Sequence, residues 1–399
     1  MMEQGFSTPQ TEIDARITKL QQRLQQDGID GALILQNTDL FYFSGTIQQS
    51  HLYVPAEGPP LLMVRKSLKR AREESPLAAI FALNSPKQLM DLIRDNGLKP
   101  PAVLGMELDV LPANNYFYYR KLFPDMEIRD ISTAIRMLRS IKSVYELNLI
   151  RQAAAFSDQV AEAVPNLLRA GISEIEMAGM IEAQARRLGH QGIVRMRLWG
   201  AEMFYGHLMA GDAAAVPSFL ASPTGGASVS AAVAQGPSFR LIRRDEPILF
   251  DYVFAWKGYI SDHTRIYVIG RVPQELQDAH AHMLDLQERI KRMATPGTTA
   301  GDLYAAAVEI ADQKGLGDHF MGADDERVRF IGHGVGLELD EFPFLASGQK
   351  MPLETGMVIA LEPKLIFPGK GVVGIENTHV VTPNGLEQLT RAEQQIVAV

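Results

Sequence analysis

Cysteine is absent from this chain, and tryptophan occurs only twice. The first absence removes disulfides, thiolate metal sites and cysteine nucleophiles, leaving carboxylates and nine histidines as the available ligands and bases. There is no run of 18 apolar residues, so no segment reads as a membrane span. The polar stretch Met1–Thr11 lacks the apolar centre of a signal peptide. The expected setting is therefore the cytoplasm, with no membrane partner. Dense runs of Lys and Arg are also missing. The nearest, Arg65 to Arg72, is interleaved with Leu and Ala and followed by Glu73 and Glu74, which is the pattern of a solvated helix face. With a formal charge of −8 and a pI near 5.7, the chain offers no basic face for a phosphate backbone, so nucleic acid is excluded as the main partner.

What is present suits a two-domain globular protein. At 399 residues, with 46% apolar and 22% charged side chains, the chain is long enough for two separate cores. Ile13, Ile17, Leu20 and Leu24 recur at helical spacing and Gly28 ends that helix. Short apolar runs at Gly31–Leu35, Leu61–Val64, Ala78–Leu83 and Ala102–Met106 read as buried strands with helices between them, an α/β layer domain. A junction falls near Leu138–Glu146, where Ser140-Ile-Lys-Ser143 leads into a long helix from about Tyr145. Ser173 caps another, and helices dominate to about Gly189. From Trp199 to Arg244 the chain is rich in Gly, Ala, Ser and Pro, the composition of a long binding loop. The expected division is a flexible terminus over 1–11, an amino-terminal domain over 12–139 and a second domain over 140–399. The fold class is α/β (α+β).

The chemistry concentrates in two acidic hairpins. Pro247–Phe254 and Gly258–Val268 alternate like strands, with Ala255-Trp-Lys-Gly258 as the turn. A turn centred between Trp256 and Lys257 sets Asp251 directly opposite Asp262. Like charges so placed are destabilising unless a cation or a shared proton compensates. The figure recurs: Met357–Glu362 and Gly371–Thr378 pair about Gly369, setting Glu362 opposite Glu376. In each hairpin a Thr follows the second acid at two residues, Thr264 and Thr378, on the same face and within reach of it. Two hairpins built alike suggest an internal duplication around a shared centre. Four carboxylates at one point require metal, and His333, between Gly332 and Gly334, is the natural fifth ligand. Two divalent ions balance four acids, and oxygen-rich ligation with one imidazole suits Mn, Co, Zn or Fe. Any one of these acids alone would read as a surface residue; their joint arrangement does not. His263 and His379 alternate onto the opposite sheet face, and His280 and His282 sit on a polar helix.

These residues resemble a known family. Asp251, Gly258-Tyr259, Asp262-x-Thr-Arg265, Gly332-His-Gly-Val-Gly-Leu-Glu338, Leu361-Glu-Pro363 and Ile375-Glu376 are similar in order and spacing to the M24 metallopeptidases of the Xaa-Pro aminopeptidase, prolidase and creatinase type. Gly28-Ile-Asp-Gly-Ala32 through Phe43-Ser-Gly45 resembles the creatinase-type amino-terminal domain. The resemblance covers nearly the whole chain. It implies a pita-bread catalytic domain, a two-metal centre and a homodimer. Carried over by position, Asp251 binds one ion, His333 and Glu362 bind the other, Asp262 and Glu376 bridge them, and Glu362 carries the proton.

Three positions depart from the family pattern. Asp340 stands before Glu341-Phe-Pro343 where a His is usual. Ala232-Val-Ala-Gln-Gly236 replaces a stretch with Pro-His, and Gly374 replaces an Arg. His207, in the irregular loop, is the candidate to replace one of the lost groups, and Asp340 is a candidate for holding a substrate cation. The expected activity is hydrolysis of C–N bonds in short peptides of Xaa-Pro type. The alternative is a small non-peptide amidine or cyclic amide, favoured by the missing histidines. A non-catalytic binding protein is disfavoured by the intact ligands.

Overall fold

The computed structural model describes residues 7–202, 205–220 and 222–399, which form two compact units, Met1–Arg139 and Ser140–Val399. The expected flexible terminus lies partly on residues 1–6, outside the described residues. Gln10 and Thr11 already belong to the first helix, Gln10–Gln26, whose buried stripe is Ile13, Ile17, Leu20 and Leu24 with Arg16 beside it.

The first unit carries one six-stranded sheet. Its strands are β1 (Gly31–Ile34), β2 (Ser50–Pro55), β3 (Leu61–Val64), β4 (Ile80–Ala82), β5 (Val103–Met106) and β6 (Glu127–Asp130), in spatial order β4-β3-β2-β1-β5-β6. Strands β2 and β6 are not among the apolar runs picked out in the sequence. Ser50-His51 opens the first, and Glu127, Arg129 and Asp130 dilute the second, so neither reads as a buried run.

The second unit opens with the helix Val144–Leu167. Ser143 caps it and Glu146 reaches back to the Ser143 amide at 3.0 Å, a capping box worth about 1 kcal/mol. Four strands follow as one sheet: β7 (Gly206–Ala210), β8 (Ile248–Trp256), β9 (Tyr259–Val268) and, at the far carboxyl end, β17 (Val397–Ala398), in order β17-β9-β8-β7. A second sheet holds β10 (Phe330–Val335), β11 (Leu339–Ala346), β12 (Val358–Leu361), β15 (Asn377–Thr382) and β16 (Gly385–Gln388). The short pair β13 (Lys364–Phe367) and β14 (Gly371–Gly374) extends the β12/β15 hairpin.

Each sheet is backed by helices. Ala153, Val160 and Ala161 of Val144–Leu167 share a core with Phe250, Tyr252 and Phe254 of β8. Leu276, Met283, Leu286 and Ile290 of Gln274–Met293 share one with Ile359 and Leu361 of β12. Each large side chain so buried contributes about 1.5–3 kcal/mol. Thr264 of β9 bridges to Glu376 just before β15, which links the two sheets where the acids lie.

The first acidic hairpin departs from the expected register. Lys257 and Gly258 both take positive φ, 49° and 92°, forming a two-residue turn of the kind that matches strand twist. Pairing then runs Trp256 to Tyr259, Val253 to Asp262 and Asp251 to Thr264. Asp251 and Asp262 are diagonal rather than opposed. They stay on one face, because a shift of two residues preserves side-chain parity. The second hairpin keeps the expected register, Lys364 opposite Gly374 and Leu361 opposite Asn377. It is not two unbroken strands, however. Ladder pairing lapses at Glu362-Pro363 and Ile375-Glu376, where Pro363 has no amide hydrogen to donate, so the two acids stand at the break between β12/β15 and β13/β14.

Candidate metal centre

Asp251, Asp262, His333, Glu362 and Glu376 converge at the floor of one cavity of about 120 Å³, whose wall includes His207, Gln235 and Asp340. Three of them, Asp262, His333 and Glu376, place ligand atoms within 4.8 Å of one another. His333 Nε2 lies 3.6 Å from Glu362 Oε1 and 3.9 Å from both Asp262 Oδ2 and Glu376 Oε1. Ligand atoms about 2.0–2.2 Å from one tetrahedral ion lie roughly 3.3–3.6 Å apart. Each of the three carboxylate oxygens is thus close to the spacing from His333 Nε2 that sharing a divalent ion needs. Asp262 Oδ1 is buried and, among the described residues, has no hydrogen-bond partner, the condition of a carboxylate whose partner is an ion.

The imidazole is oriented for this role. His333 Nδ1 faces the Gly334 carbonyl at 3.2 Å and Asp340 Oδ1 at 3.5 Å, which leaves the Nε2 lone pair toward the acids. Burial opposes a charge on His333, but Asp340, Glu362 and Glu376 together hold its pKa above the usual value. Asp340, expected to face substrate alone, therefore also stands behind the ligand. It sits at φ 63°, a left-handed conformation that Asn tolerates as well as Asp. Asp340→Asn should weaken divalent-metal affinity by about 10–100-fold with the circular dichroism spectrum unchanged. Unchanged affinity by titration calorimetry would remove Asp340 from this role.

The threonines reach across the hairpins, and Thr264 also hydrogen-bonds Asp251, its partner within the first. Thr264 Oγ1 donates to Glu376 Oε2 at 2.8 Å, while Thr378 Oγ1 accepts from the Asp262 amide at 2.9 Å and donates to the Asp262 carbonyl at 2.8 Å. This near-reciprocal exchange holds the two similar hairpins together. Arg265, 1% exposed, adds a second tie: its guanidinium donates to the carbonyls of Thr264 and Glu376 and to Asn377 Oδ1. Burial pulls its pKa to about 10, still well above neutrality.

Sequence reasoning missed the residue that most changes the centre. Lys364 Nζ donates to Glu362 Oε2 at 2.8 Å, Asp251 Oδ2 at 2.9 Å and Glu376 Oε2 at 3.0 Å. Its side chain is 1% exposed. Burial alone would neutralise it, yet the three carboxylates hold its pKa well above that of a free lysine. The same ammonium holds Asp251 below the usual carboxylate range against the effect of burial. On the far side, burial and the neighbouring acids push Asp262 well up and Glu376 to about 7. The signal was legible: Lys364 stands two residues past Glu362 on an extended segment, and its partner across the hairpin, Gly374, has no side chain to compete for the space.

His207 lies in strand β7, opposite Asp251, not in a loop. Its Nε2 meets Gln235 Oε1 at 3.0 Å, and since Gln235 Nε2 donates to the Glu202 carbonyl at 2.9 Å, the imidazole is the donor. Burial lowers its pKa, so it is neutral. Of the remaining histidines, His263 and His379 are buried away from the acids, and His280, expected on a polar helix face, is buried against the Gln394 carbonyl.

Acids and an imidazole converging on a small cleft within this two-sheet unit define a metal-dependent hydrolase. The chain matches the metallopeptidase family M24 over residues 148–383 and the creatinase/prolidase amino-terminal domain over residues 16–141. It belongs to the M24 family, and its fold is the family's creatinase-like amino-terminal domain followed by the catalytic domain. It is 28% identical over 386 residues to an Xaa-Pro dipeptidase of Pyrococcus furiosus, covering 96% of this chain and 99% of that one. The prolidase structure from Pyrococcus horikoshii superposes with a TM-score of 0.80 at 25% identity, covering 96% and 100% of the two chains. The Xaa-Pro dipeptidase structure from Bacillus anthracis, at 24% identity, shares the fold with a TM-score of 0.83 over 97% and 100%. No helix among the described residues is long and apolar enough to cross a membrane.

Proposed function

We propose that this protein hydrolyses the peptide bond of short peptides, Xaa-Pro dipeptides first among them, with a divalent ion held by Asp262, His333, Glu362 and Glu376. The observation that carries the reading is the convergence of those four side chains at the floor of a cleft of about 120 Å³. The names of the relatives point to the same bond.

An ion held there supplies Lewis-acid polarisation of the scissile carbonyl and lowers the pKa of water. The chain's own residues do the rest. Glu362, on the cavity floor, takes a proton from the attacking water and delivers it to the leaving nitrogen. Lys364 keeps Glu362 Oε2 engaged at 2.8 Å and so fixes the carboxylate's orientation. His207 and Gln235 form a neutral polar wall. Asp340, partly exposed at the cavity rim, presents an acceptor to a substrate ammonium.

That acceptor, standing where the family usually has a His, favours a second reading, a small amide or amidine substrate. The two separate in a panel of Xaa-Pro dipeptides, other dipeptides and small cyclic amides, assayed with Mn, Co and Zn. Proline dipeptides cleaved with kcat/KM of about 10⁴ M⁻¹s⁻¹ or more establish the first. Turnover of the amides alone establishes the second. Cytoplasmic residence and a homodimer complete the proposal; size-exclusion chromatography with light scattering tests the latter.

A further inference from the structure

Asp251, Glu362 and Glu376 each turn one oxygen toward Lys364 Nζ, at 2.9, 2.8 and 3.0 Å. An ammonium has three hydrogens to donate, and here each meets a different carboxylate. The other oxygens of Glu362 and Glu376 turn the opposite way, toward His333 Nε2, at 3.6 and 3.9 Å. The two glutamates thus divide between two positions: one lined by Asp251 and filled by Lys364, the other lined by Asp262 and His333. Asp262 Oδ1, on that second side, is the buried oxygen without a hydrogen-bond partner among the described residues. Among the described residues, no buried carboxylate oxygen of Asp251, Glu362 or Glu376 is such an orphan.

We infer that Lys364 permanently replaces one of the two divalent ions, so that this centre binds a single ion, at Asp262, His333, Glu362 and Glu376. The inference rests on the metal-dependent reading above. A divalent ion coordinated by the oxygens that Lys364 now holds would need to sit about 2.0–2.2 Å from each, in the space the ammonium fills. Lys364 cannot move aside cheaply: it is 1% exposed, and a buried ammonium without partners is costly. Gly374, paired with Lys364 across the hairpin, has φ 151°, and a Cβ there would lie 2.7 Å from Lys364 Cα and 3.1 Å from its Cγ. A glycine at that position leaves the lysine stem its room. Asp251 is then a partner of the lysine and not a metal ligand.

The experiment is metal stoichiometry on the full chain, stripped with chelator, reloaded with Mn, Co or Zn, desalted and measured by elemental mass spectrometry, with calorimetric titration alongside. The native chain should hold about one equivalent, Lys364→Ala about two, Asp251→Asn about one, and Asp262→Asn close to none. Two tight equivalents in the native chain, or one in both the native chain and Lys364→Ala, overturns the replacement and leaves the metal-dependent reading intact. Loss of the ion from Asp251→Asn with retention in Asp262→Asn overturns the assigned position. No metal in any of the proteins overturns the metal-dependent reading itself. Should Lys364→Ala fail to fold, the native stoichiometry and the Asp251→Asn and Asp262→Asn pair still decide the matter.

Discussion

His333→Ala loses the bound ion and, with it, peptide hydrolysis by about 10³-fold or more, while the protein stays folded. The imidazole is the one nitrogen among oxygen donors, and Nε2 is equidistant, at 3.9 Å, from Asp262 Oδ2 and Glu376 Oε1. Removing it leaves three crowded carboxylates with no neutral donor to complete the shell. The rate loss should be at least that of deleting a single oxyanion donor, about 10²–10³, because polarisation of the carbonyl and activation of water disappear together. His333 is on β10, whose pairing with β12 does not depend on the side chain, so circular dichroism should be unchanged. Metal content by elemental mass spectrometry and kcat/KM on the best dipeptide check the result. Retention of both would remove His333 from the centre.

Glu362→Gln separates proton transfer from ion binding. The amide keeps the shape and one oxygen for the ion but loses the basicity, so kcat should fall by about 10²–10⁴ at saturating metal, with KM little changed. The glutamine also presents an NH₂ or an oxygen to Lys364 where a carboxylate stood at 2.8 Å, so some loss of metal affinity accompanies it. Assays at several metal concentrations distinguish the two effects. A variant restored to native rate by added metal would show Glu362 to be a ligand only.

Much of the centre could be read without coordinates. The five candidate residues lie within two hairpins and one glycine-flanked position on β10, where alternation along a strand, turn residues and side-chain type are local signals. Periodicity of two places Asp262 and Thr264 on one face whatever the tertiary structure. The register of the second hairpin followed from Gly369 alone. The first did not, because two adjacent turn centres were compatible with the residues and only Lys257 and Gly258 at positive φ selects between them. Strand β2 escaped notice because Ser50-His51 opens it, and β6 because it is an edge strand in which only Ile128 is buried.

What the amino-acid sequence determined by itself is the division into an α/β domain and an acid-bearing domain, the identity of the convergent acids and the histidine, and the chemistry those groups favour. Tertiary structure alone decided how those groups are shared. The Thr264–Glu376 and Thr378–Asp262 bonds join hairpins more than 110 residues apart, as does the reach of Lys364 to Asp251. Local patterning sets which face a side chain occupies; it does not set the distance between faces that meet only when two sheets pack. A lysine two residues past a glutamate could have pointed to solvent. It fills the centre because the packed sheets leave its stem no exposed path and offer its ammonium three carboxylates, which a buried positive charge requires.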